Sequence, residues 1–342
     1  MNKATWIVSP SPFLLTRPTL SRMSAVTVLT LVPQLCLMAV EGDYASVLSI
    51  LLAVTGCVLG EISMTLPYKR PFPGDRTVFV VGLITGFLLP SNLGPVSVLI
   101  VSFSGYFIAR AVFGGTGSYW MSPAAVTVAI AYISQPGLFP DQLLSPESVR
   151  TIGDSFRALK LDGFRGLDID QSLTAFLNQH LFAPFDIKLP EGYITLFWHS
   201  PSAIPAFRYN TLTLVSSILL ISMNIIDWII PVCFLLSYAA CVWFVSVLPF
   251  ALAVPQGDIL FAFLTGGILF IAFYVLPEYN TNPRTRGGKA ICGLLAGLTA
   301  FAVCGPGGSP VGAVFTVIIV NAVNPLIEYI ENKAIASAGD FA

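Results

Sequence analysis

Long apolar runs separated by short polar segments are the feature that most restricts how this chain folds. About ten such runs are present, at residues 23–40, 45–66, 77–89, 95–113, 123–134, 211–225, 228–249, 259–275, 290–303 and 311–323. A helix that crosses a bilayer needs roughly 20 mainly apolar residues, so several of these runs are short. Because lipid offers the backbone no hydrogen-bond partners, we expect them to form helices. With 55% hydrophobic and 10% charged residues in 342, the composition indicates an all-α, multi-pass membrane protein and excludes a soluble enzyme.

The distribution of basic residues predicts the orientation of the helices. With the N-terminus in the cytoplasm, most Lys and Arg side chains outside the long polar interval fall in cytoplasmic segments, whereas the short outer connections carry none. These basic residues are Lys3, Arg17, Arg22, Lys69, Arg70, Arg76, Arg284, Arg286, Lys289 and Lys333. The lipid bilayer is therefore a predicted partner, with a cytoplasmic N-terminus.

The spans and the polar segments between them predict five regions. We expect a cytoplasmic N-terminal arm at 1–22, without the apolar core of a signal peptide, a first membrane repeat at 23–134 and an extracytoplasmic loop at 135–208. A second membrane repeat at 209–326 and a cytoplasmic tail at 327–342 follow. Within the loop we expect a short helix that begins near Asp170 or Ser172 and runs through TAFLNQHLF.

Similar stretches in the two halves indicate an internal repeat. Gly74-Asp75 precedes GLITGFLLP, and Gly257-Asp258 precedes FLTGGILF; FGGTGSYWMSPAAVTVAIAY has a counterpart in CGPGGSPVGAVFTVIIVNAV. If each half has five spans, the odd number makes the second half enter the membrane from the opposite face, which is an inverted repeat.

The short spans at 123–134 and 311–323 both follow glycine clusters, and two interpretations remain open. They are typical of half-helices whose N-termini point at a site near the middle of the membrane. Alternatively, the glycines only allow helices to pack closely. The glycines concerned are Gly114, Gly115, Gly117, Gly305, Gly307 and Gly308.

Three ionisable residues lie within or at the edge of apolar spans. Charged groups are costly in lipid, so Glu61, Arg110 and Asp227 are candidates for function. Glu61 suits an ion path or a structural pair. Arg110 is expected to extend its side chain to the cytoplasmic surface. For Asp227, beside Trp228, an ordinary helix boundary is an equal alternative to an ion path.

The remaining reactive residue types show no arrangement typical of catalysis. The six cysteines fall singly in or at the ends of apolar runs, without C-x-x-C spacing, so we expect apolar packing rather than a metal or disulfides. His180 and His199 lack metal-ligand spacing. We find no hydrolase triad, no phosphate-binding loop and no basic patch for nucleic acid, so no catalytic residue and no metal site are predicted.

Several stretches, in order along the chain, resemble one family. They are SPSPFLLTRPTLSRMSAVTVLTLVPQ, GLITGFLLPSNLGPV, AVFGGTGSYWMSPAAVTVAIAYISQPGLFP, LTLVSSILLISMNIIDWIIPV and NPRTRGGKAICGLLAGLTAFAVCGPGGSPVGAVFTVIIVNAVNPLIEYI. Together they look like the RnfD/NqrB family, the membrane flavoprotein subunits of ion-translocating oxidoreductase complexes. The short N-terminus favours the Rnf side of the family.

The resemblance implies both a fold and a function. It implies about ten transmembrane helices in two inverted five-helix repeats, on a plan similar to urea and ammonium channels. It also implies a bacterial inner-membrane subunit that works with other membrane and peripheral subunits, passing electrons between ferredoxin or flavodoxin and NAD while Na⁺ or H⁺ is moved. Glu61 matches an acidic position that the family tends to have in its second span.

The resemblance further implies a covalent flavin in the outer loop. The family carries FMN in phosphoester linkage to the threonine of a D-x-x-[ST]-G-A-T pattern. One register begins at Asp162-Gly163 and places Asp168 at the threonine position, where a carboxylate cannot form this linkage. The other begins at Asp168 and places Thr174 there, although Ser172 and Leu173 replace the small residues of the pattern. Riboflavin or a second flavin is a further possibility.

From the residues alone, Thr174 has two interpretations. Near the start of a helix, its hydroxyl suits a phosphate because free N–H groups and the helix dipole favour an anion. Alternatively, Asp170 or Ser172 caps a surface helix and Thr174 merely occupies the first turn. We therefore take Thr174 as the candidate attachment residue and keep the structural interpretation beside it.

The stretch YWMSPAAV stands where the family commonly has FNPAMV. Pro123 and Ala124 match, while Ser122 replaces an asparagine. A serine hydroxyl can still bind a ligand or cap the following half-helix. We therefore include Ser122, Pro123 and Ala124, with Gly114, Gly115 and Gly117, among the candidate cofactor-binding residues. Two alternatives to a flavoprotein remain, a flavin-free channel or transporter and a structural subunit on the same scaffold.

Overall fold

The fold is helical throughout the described residues. The computed structural model describes residues 19–66, 76–115, 117–140, 166–185, 188–200, 202–247, 258–278, 280–305 and 311–339. The helices are α1 (Leu20–Val40), α2 (Tyr44–Thr65), α3 (Thr77–Leu88), α4 (Pro95–Tyr106), α5 (Pro123–Ser134), α6 (Asp170–Leu177), α7 (Tyr193–Trp198), α8 (Asn210–Ser222), α9 (Ile229–Val247), α10 (Ile259–Thr265), α11 (Ile268–Phe270), α12 (Arg286–Cys304) and α13 (Gly312–Gly339). Wider π-helical turns continue α4 through Phe107–Ala111, α6 through Asn178–Phe182 and α11 through Ile271–Val275.

The lengths and composition of these helices are those of a multi-pass membrane protein. Within the described ranges, four helices are long and apolar enough to cross a membrane, namely Leu20–Val40, Tyr44–Thr65, Arg286–Cys304 and Gly312–Lys333. Shorter apolar helices cover Thr77–Leu88, Pro95–Ala111, Pro123–Ser134, Asn210–Ser222 and Ile229–Phe244. The predicted all-α membrane class is confirmed, while the count of ten spans stays a prediction.

Local sequence signals explain where several helices begin. The side chains of Asp43, Asp258 and Thr285 accept hydrogen bonds from backbone N–H groups in the first turns of α2, α10 and α12, at 3.0 to 3.1 Å. Prolines stand at the first positions of α4 and α5, where a helix needs no N–H donor. These caps and prolines place most observed boundaries within a few residues of the predicted ones.

Two predicted spans are wrong in their extent. Residues 259–275 do not form one continuous helix, because α10 ends at Thr265 and α11 begins after Gly267, whose φ is 69°. A Cβ on Gly267 would lie 2.4 Å from the Phe207 ring, so this break also gives room to a neighbouring aromatic side chain. The span predicted at 311–323 is instead the 28-residue α13, which continues past Pro325 to Gly339. Of the two predicted half-helices, α5, with 12 residues, has the expected length and α13 does not.

Similar helix pairs form in the two halves of the chain. In the first half α2 packs on α3 and α4, and α5 packs on α3 and α4. In the second half α9 packs on α12 and on the π-helical turn that follows α11, and α13 packs on the same two elements. This agreement is what an internal repeat requires, while the inverted orientation stays a prediction.

Polar contacts mark the two ends of the bundle. At the end that we call the loop end, Arg208 pairs with Asp43, and the Tyr209 hydroxyl donates to Glu41. At the opposite end, which we call the basic end, Lys289 pairs with Asp227 in the turn between α8 and α9. Two of the segments predicted to lie on the cytoplasmic side therefore meet at this end. Lys3, Arg17, Lys69, Arg70, Gly74, Asp75 and Gly257 lie outside the described residues.

Glycines allow the closest helix contacts in both halves. A Cβ on Gly56 would lie 2.8 Å from the Leu99 carbonyl oxygen of α4. In the second half, a Cβ on Gly293 would lie 2.7 Å from the Ile230 carbonyl oxygen of α9. Helices in lipid gain little from the hydrophobic effect and depend on such packing.

We expect Gly297→Ala to destabilise the bundle. The added methyl would lie 2.7 Å from the Phe234 carbonyl oxygen, which backbone movement alone can relieve. Overpacking of this kind costs about 1–3 kcal/mol. Gly287→Ala is the matched control on the same helix, since its nearest neighbour would be 3.9 Å away and alanine favours a helix. Thermal unfolding in detergent measures both, and equal midpoints for the two variants would contradict this packing.

Candidate functional site

A carboxylate is buried near the basic end of α2. Glu61 is 6% exposed and lies one helical turn before the end of α2 at Thr65. The hydroxyl of Tyr106, on α4, donates to Glu61 Oε2 at 2.7 Å. The two helices approach closely there, because a Cβ on Gly60 would lie 2.8 Å from the Tyr106 ring. The predicted structural pairing of Glu61 is therefore present, with a tyrosine as the partner.

Arg110 lies beside this pair and does not reach the surface. Its side chain is fully buried in the π-helical turn after α4. The guanidinium carbon lies 5.3 Å from the centre of the Tyr106 ring and 5.8 Å from that of Tyr119. The expectation that Arg110 extends to the cytoplasmic surface is wrong, since the two ring faces hold the cation inside the protein.

A second carboxylate completes the group from the other half of the chain. The Tyr119 hydroxyl donates to Glu278 Oε1 at 2.8 Å, and Ser122 lines the same cavity as Glu278. Arg110 is near enough to act on Glu278 electrostatically. We call Glu61, Tyr106, Arg110, Tyr119 and Glu278 the buried charge cluster, in which Glu278 alone is partly exposed. It joins the two halves of the chain through side chains at the basic end of the bundle.

The glycines before α5 shape the turn that delivers Tyr119 to this cluster. Gly114, Gly115 and Gly117 have φ values of 95°, 92° and 89°, which residues with a side chain rarely adopt. The N–H of Gly115 bonds to the Arg110 carbonyl at 3.0 Å, so the turn closes directly on the end of α4. The structure thus gives these glycines a conformational role. Gly305 has a positive φ after α12, and Gly307 and Gly308 lie outside the described residues.

Ser122, Pro123 and Ala124 form the buried start of α5. Ser122 is 1% exposed, and both Ser122 and Ala124 line a cavity of about 70 Å³ together with Tyr119, Tyr274 and Glu278. A single water molecule occupies about 30 Å³ in the liquid. The cavity therefore has room for a small ion or a few waters.

A larger polar cavity adjoins the first at the basic end. It measures about 360 Å³ and is lined by Asn224, Asp227, Asn282, Arg284 and Lys289, among others. The two cavities have Ile225, Ile226 and Pro277 in common among their lining residues. Asp227 itself has a half-exposed side chain in an ion pair with Lys289. Its position fits the helix boundary that the sequence offered as an alternative.

Thr174 lies on the buried side of helix α6 in the loop. It is 2% exposed, and its hydroxyl donates to Asp170 Oδ1 at 3.0 Å. The Asp170 carboxylate also accepts from Gly192 N at 3.0 Å, from Thr195 N at 2.9 Å and from the Thr195 hydroxyl. The helix spans the predicted residues. Its predicted cap is wrong, because Asp170 caps the following helix, α7, instead of its own.

These residues do not fit an FMN attached to Thr174. A phosphoester at Thr174 would replace the hydroxyl proton that forms the hydrogen bond to Asp170. It would also have to form on a side chain that solvent does not reach. It would also bring a negative phosphate beside a carboxylate. Attachment at Thr174 stays a prediction of the sequence, and this geometry does not support it. Asp162 and Gly163, which begin the other register, lie outside the described residues.

No group of three or more metal-ligating side chains occurs in the described part of the chain. His180 is exposed and stacks on Phe176, and His199 packs edge-on against Tyr209. Burial lowers the pKa of His199, which favours its neutral form. The six cysteines are free thiols, and Cys57, Cys292 and Cys304 are buried.

Sequence reasoning missed Tyr106, Tyr119 and Glu278. A signal for Glu278 was present, since it is an acidic residue directly after an apolar span, like Asp227. The tyrosines carried no such signal, because aromatic residues are common in membrane bundles. Their role becomes visible only where their hydroxyls meet the two carboxylates.

We expect Tyr106→Phe to destabilise the protein by leaving Glu61 without its donor. Loss of a buried hydrogen bond to a carboxylate costs about 1.5–3 kcal/mol. Tyr132→Phe is the matched control, because Tyr132 lies on α5 with a partly exposed ring. Thermal unfolding in detergent compares the two variants. A midpoint unchanged by Tyr106→Phe would show that the pair contributes nothing to stability.

The Asp170 contacts are expected to weaken in acid. Burial raises the pKa of this carboxyl, but the hydrogen bonds from Thr195 and Gly192 outweigh that effect and hold the pKa below its usual value. A lowered pKa stabilises the fold above the unfolded value of about 3.9 and this contribution is lost as the pH falls through the folded value. Protection factors for hydrogen exchange at the Gly192 and Thr195 amides should therefore fall below about pH 4. Constant protection down to about pH 2 would contradict the assignment.

Comparison with known proteins agrees with the helical membrane fold. The model of the NQR2, RnfD, RnfE family matches residues 7–336. A Cronobacter sakazakii protein, named as the D-type subunit of an ion-translocating oxidoreductase complex, is 26% identical over 345 residues, covering 94% of this chain and 96% of its own length. Proteins of the same name from Salmonella newport and Salmonella agona are each 25% identical with the same coverage. The chain belongs to the NQR2, RnfD, RnfE family.

Proposed function

We propose that this chain is the D-type membrane subunit of an Rnf-type complex and forms part of the path by which that complex moves Na⁺ or H⁺. Such a complex transfers electrons between ferredoxin or flavodoxin and NAD. The family membership and the shared name of the relatives support the assignment to an ion-translocating oxidoreductase complex. The buried charge cluster is the observation that supports an ion path. We include the two inverted repeats, the inner membrane and the cytoplasmic N-terminus in this proposal.

The charges of the cluster favour the binding of one more positive charge. Glu61 and Glu278 are two carboxylates, and Arg110 is the cation that the structure places between their tyrosine partners. With both acids ionised the group would carry a net negative charge, which burial disfavours. A proton on one carboxyl, or a bound monovalent cation, removes the imbalance. The site therefore has the chemistry to take up and release such a charge.

The two adjoining cavities supply the access that an ion path needs. The polar cavity at the basic end and the smaller cavity beside Glu278 have Ile225, Ile226 and Pro277 as common lining residues. Glu278 and Ser122 place oxygen atoms at the inner cavity, and oxygen is the ligand type that hard cations prefer. An ion arriving from the basic end would meet Glu278 before Glu61. Asp227 belongs to the entrance of this route.

We expect Glu278→Gln to uncouple ion movement from electron transfer. The amide cannot carry the exchangeable charge, so ion uptake per electron should fall at least about tenfold. The whole complex, reconstituted in liposomes, is supplied with reduced donor and NAD while radioactive Na⁺ uptake and internal pH are followed in parallel. Glu191→Gln, exposed in the loop, is the matched control. An unchanged ion-to-electron ratio in Glu278→Gln would contradict the proposal.

The burial of Thr174 favours a second candidate function. Without a flavin in its loop, the chain could serve as a flavin-free channel or transporter on this scaffold. Ion flux through the isolated subunit in liposomes, without any electron donor, would favour the channel. Flux that requires the complete complex and a donor favours the first proposal. The possible binding of riboflavin or a second flavin stays a prediction.

A further inference from the structure

We propose that Thr174 stays unmodified in the mature protein and that its hydroxyl instead helps to close helix α6 onto helix α7 through Asp170. Thr174 is 2% exposed, and its hydroxyl donates to Asp170 Oδ1 at 3.0 Å. The loop of this chain is thus free of covalent flavin at the position that the resemblance designates. This inference does not rest on the proposed ion path, because the buried charge cluster lies at the opposite end of the bundle.

The Asp170 carboxylate is saturated by the donors around it. Besides Thr174, it accepts from the Gly192 N–H, the Thr195 N–H and the Thr195 hydroxyl. Two carboxylate oxygens offer about four lone-pair positions, so no acceptor position is left over. An ester at Thr174 would remove one donor and place an anionic phosphate next to this anion. Both changes disfavour the contact that holds α6 in place.

The orientation of α6 shows that these polar contacts determine its position. Asp170 and Thr174 face the protein, whereas Ile169, Leu173 and Phe176 are 69%, 40% and 56% exposed. Burial of apolar side chains would favour the opposite rotation of the helix. Rotating α6 to present Thr174 to solvent would break the whole set of bonds at Asp170. The buried hydroxyl is therefore a specific feature of the fold.

The backbone around Thr174 offers no phosphate site either. Free N–H groups occur only in the first turn of a helix. The N–H of Leu173 already bonds to the Ile169 carbonyl at 3.0 Å, so Thr174 lies beyond that turn. The phosphate position that the sequence suggested at Thr174 therefore lacks its backbone donors. Independently, Leu173 and Ser172 depart from the small residues of the family pattern.

The chemical test uses the whole complex. The chain is co-expressed with the flavin transferase of its own organism and with an exported reporter protein that carries an Asp-Gly-x-Ser-Gly-Ala-Thr peptide, which proves that the transferase is active. We expect the denatured reporter to fluoresce in a gel, and this chain to remain dark with an unmodified mass for the peptide containing Thr174. The mass increment of FMN on that peptide, if lost in Thr174→Val, would overturn the proposal. An increment that persists in Thr174→Val would lie on another residue of the peptide, such as the exposed Ser172, and would contradict the expected dark chain.

A separate measurement tests whether the Thr174 hydroxyl helps to close α6 onto α7. Thr174→Val removes the donor at nearly constant volume, while Thr174→Ser keeps it. We expect hydrogen exchange at the Gly192 and Thr195 amides to accelerate on the order of tenfold in the valine variant and to stay unchanged in the serine variant. Equal exchange in Thr174→Val and the unchanged protein would overturn the closing role. The flavin test and the exchange test at Thr174 do not depend on ion translocation by the Glu278→Gln variant. A failure of this proposal can therefore be distinguished from a failure of the proposed ion path.

Discussion

Helices α2 and α4 come into backbone contact because Gly56 and Gly60 present no side chain to the facing helix. That contact places the Tyr106 ring against Gly60, and its hydroxyl then reaches the carboxylate of the next residue, Glu61. A side chain at Gly60 would push the ring away and leave the carboxylate buried without a donor. In lipid, where apolar contacts between helices add little, close packing of this kind is what makes a polar site possible.

The same constraint explains why Arg110 remains inside the protein. Its guanidinium lies over two tyrosine rings whose hydroxyls are turned toward Glu61 and Glu278. The rings thus contact the cation with their faces and the anions with their edges. One cation near two acids, of which Glu61 is buried and Glu278 partly exposed, can balance only one of them. The remaining negative charge is the physical basis of the ion path proposed above.

The sequence predicts the helices well because each depends on local signals. Apolar runs and the prolines at the starts of α4 and α5 are enough to place Pro123–Ser134 with both bounds correct. Tertiary contacts decide the features that were missed. The break at Gly267 accommodates Phe207, and the inward position of Arg110 depends on Tyr119, which the chain brings back after three glycines. No sequence pattern predicts these contacts between side chains from different segments.

In the loop, too, the sequence predicts the helix, whereas tertiary contacts decide how it packs. The resemblance located the polar interval and led to Thr174, and the residue pattern placed α6 correctly. Neither could show which face of α6 is turned toward the rest of the protein, because that depends on Gly192 and Thr195, about 20 residues further along the chain. The Thr174 oxygen cannot both donate a hydrogen bond to Asp170 and carry a phosphoester, because an ester has no hydroxyl proton. In the structure this hydroxyl is a hydrogen-bond donor. A family pattern therefore predicts the function of a hydroxyl only where the surrounding contacts leave that hydroxyl accessible.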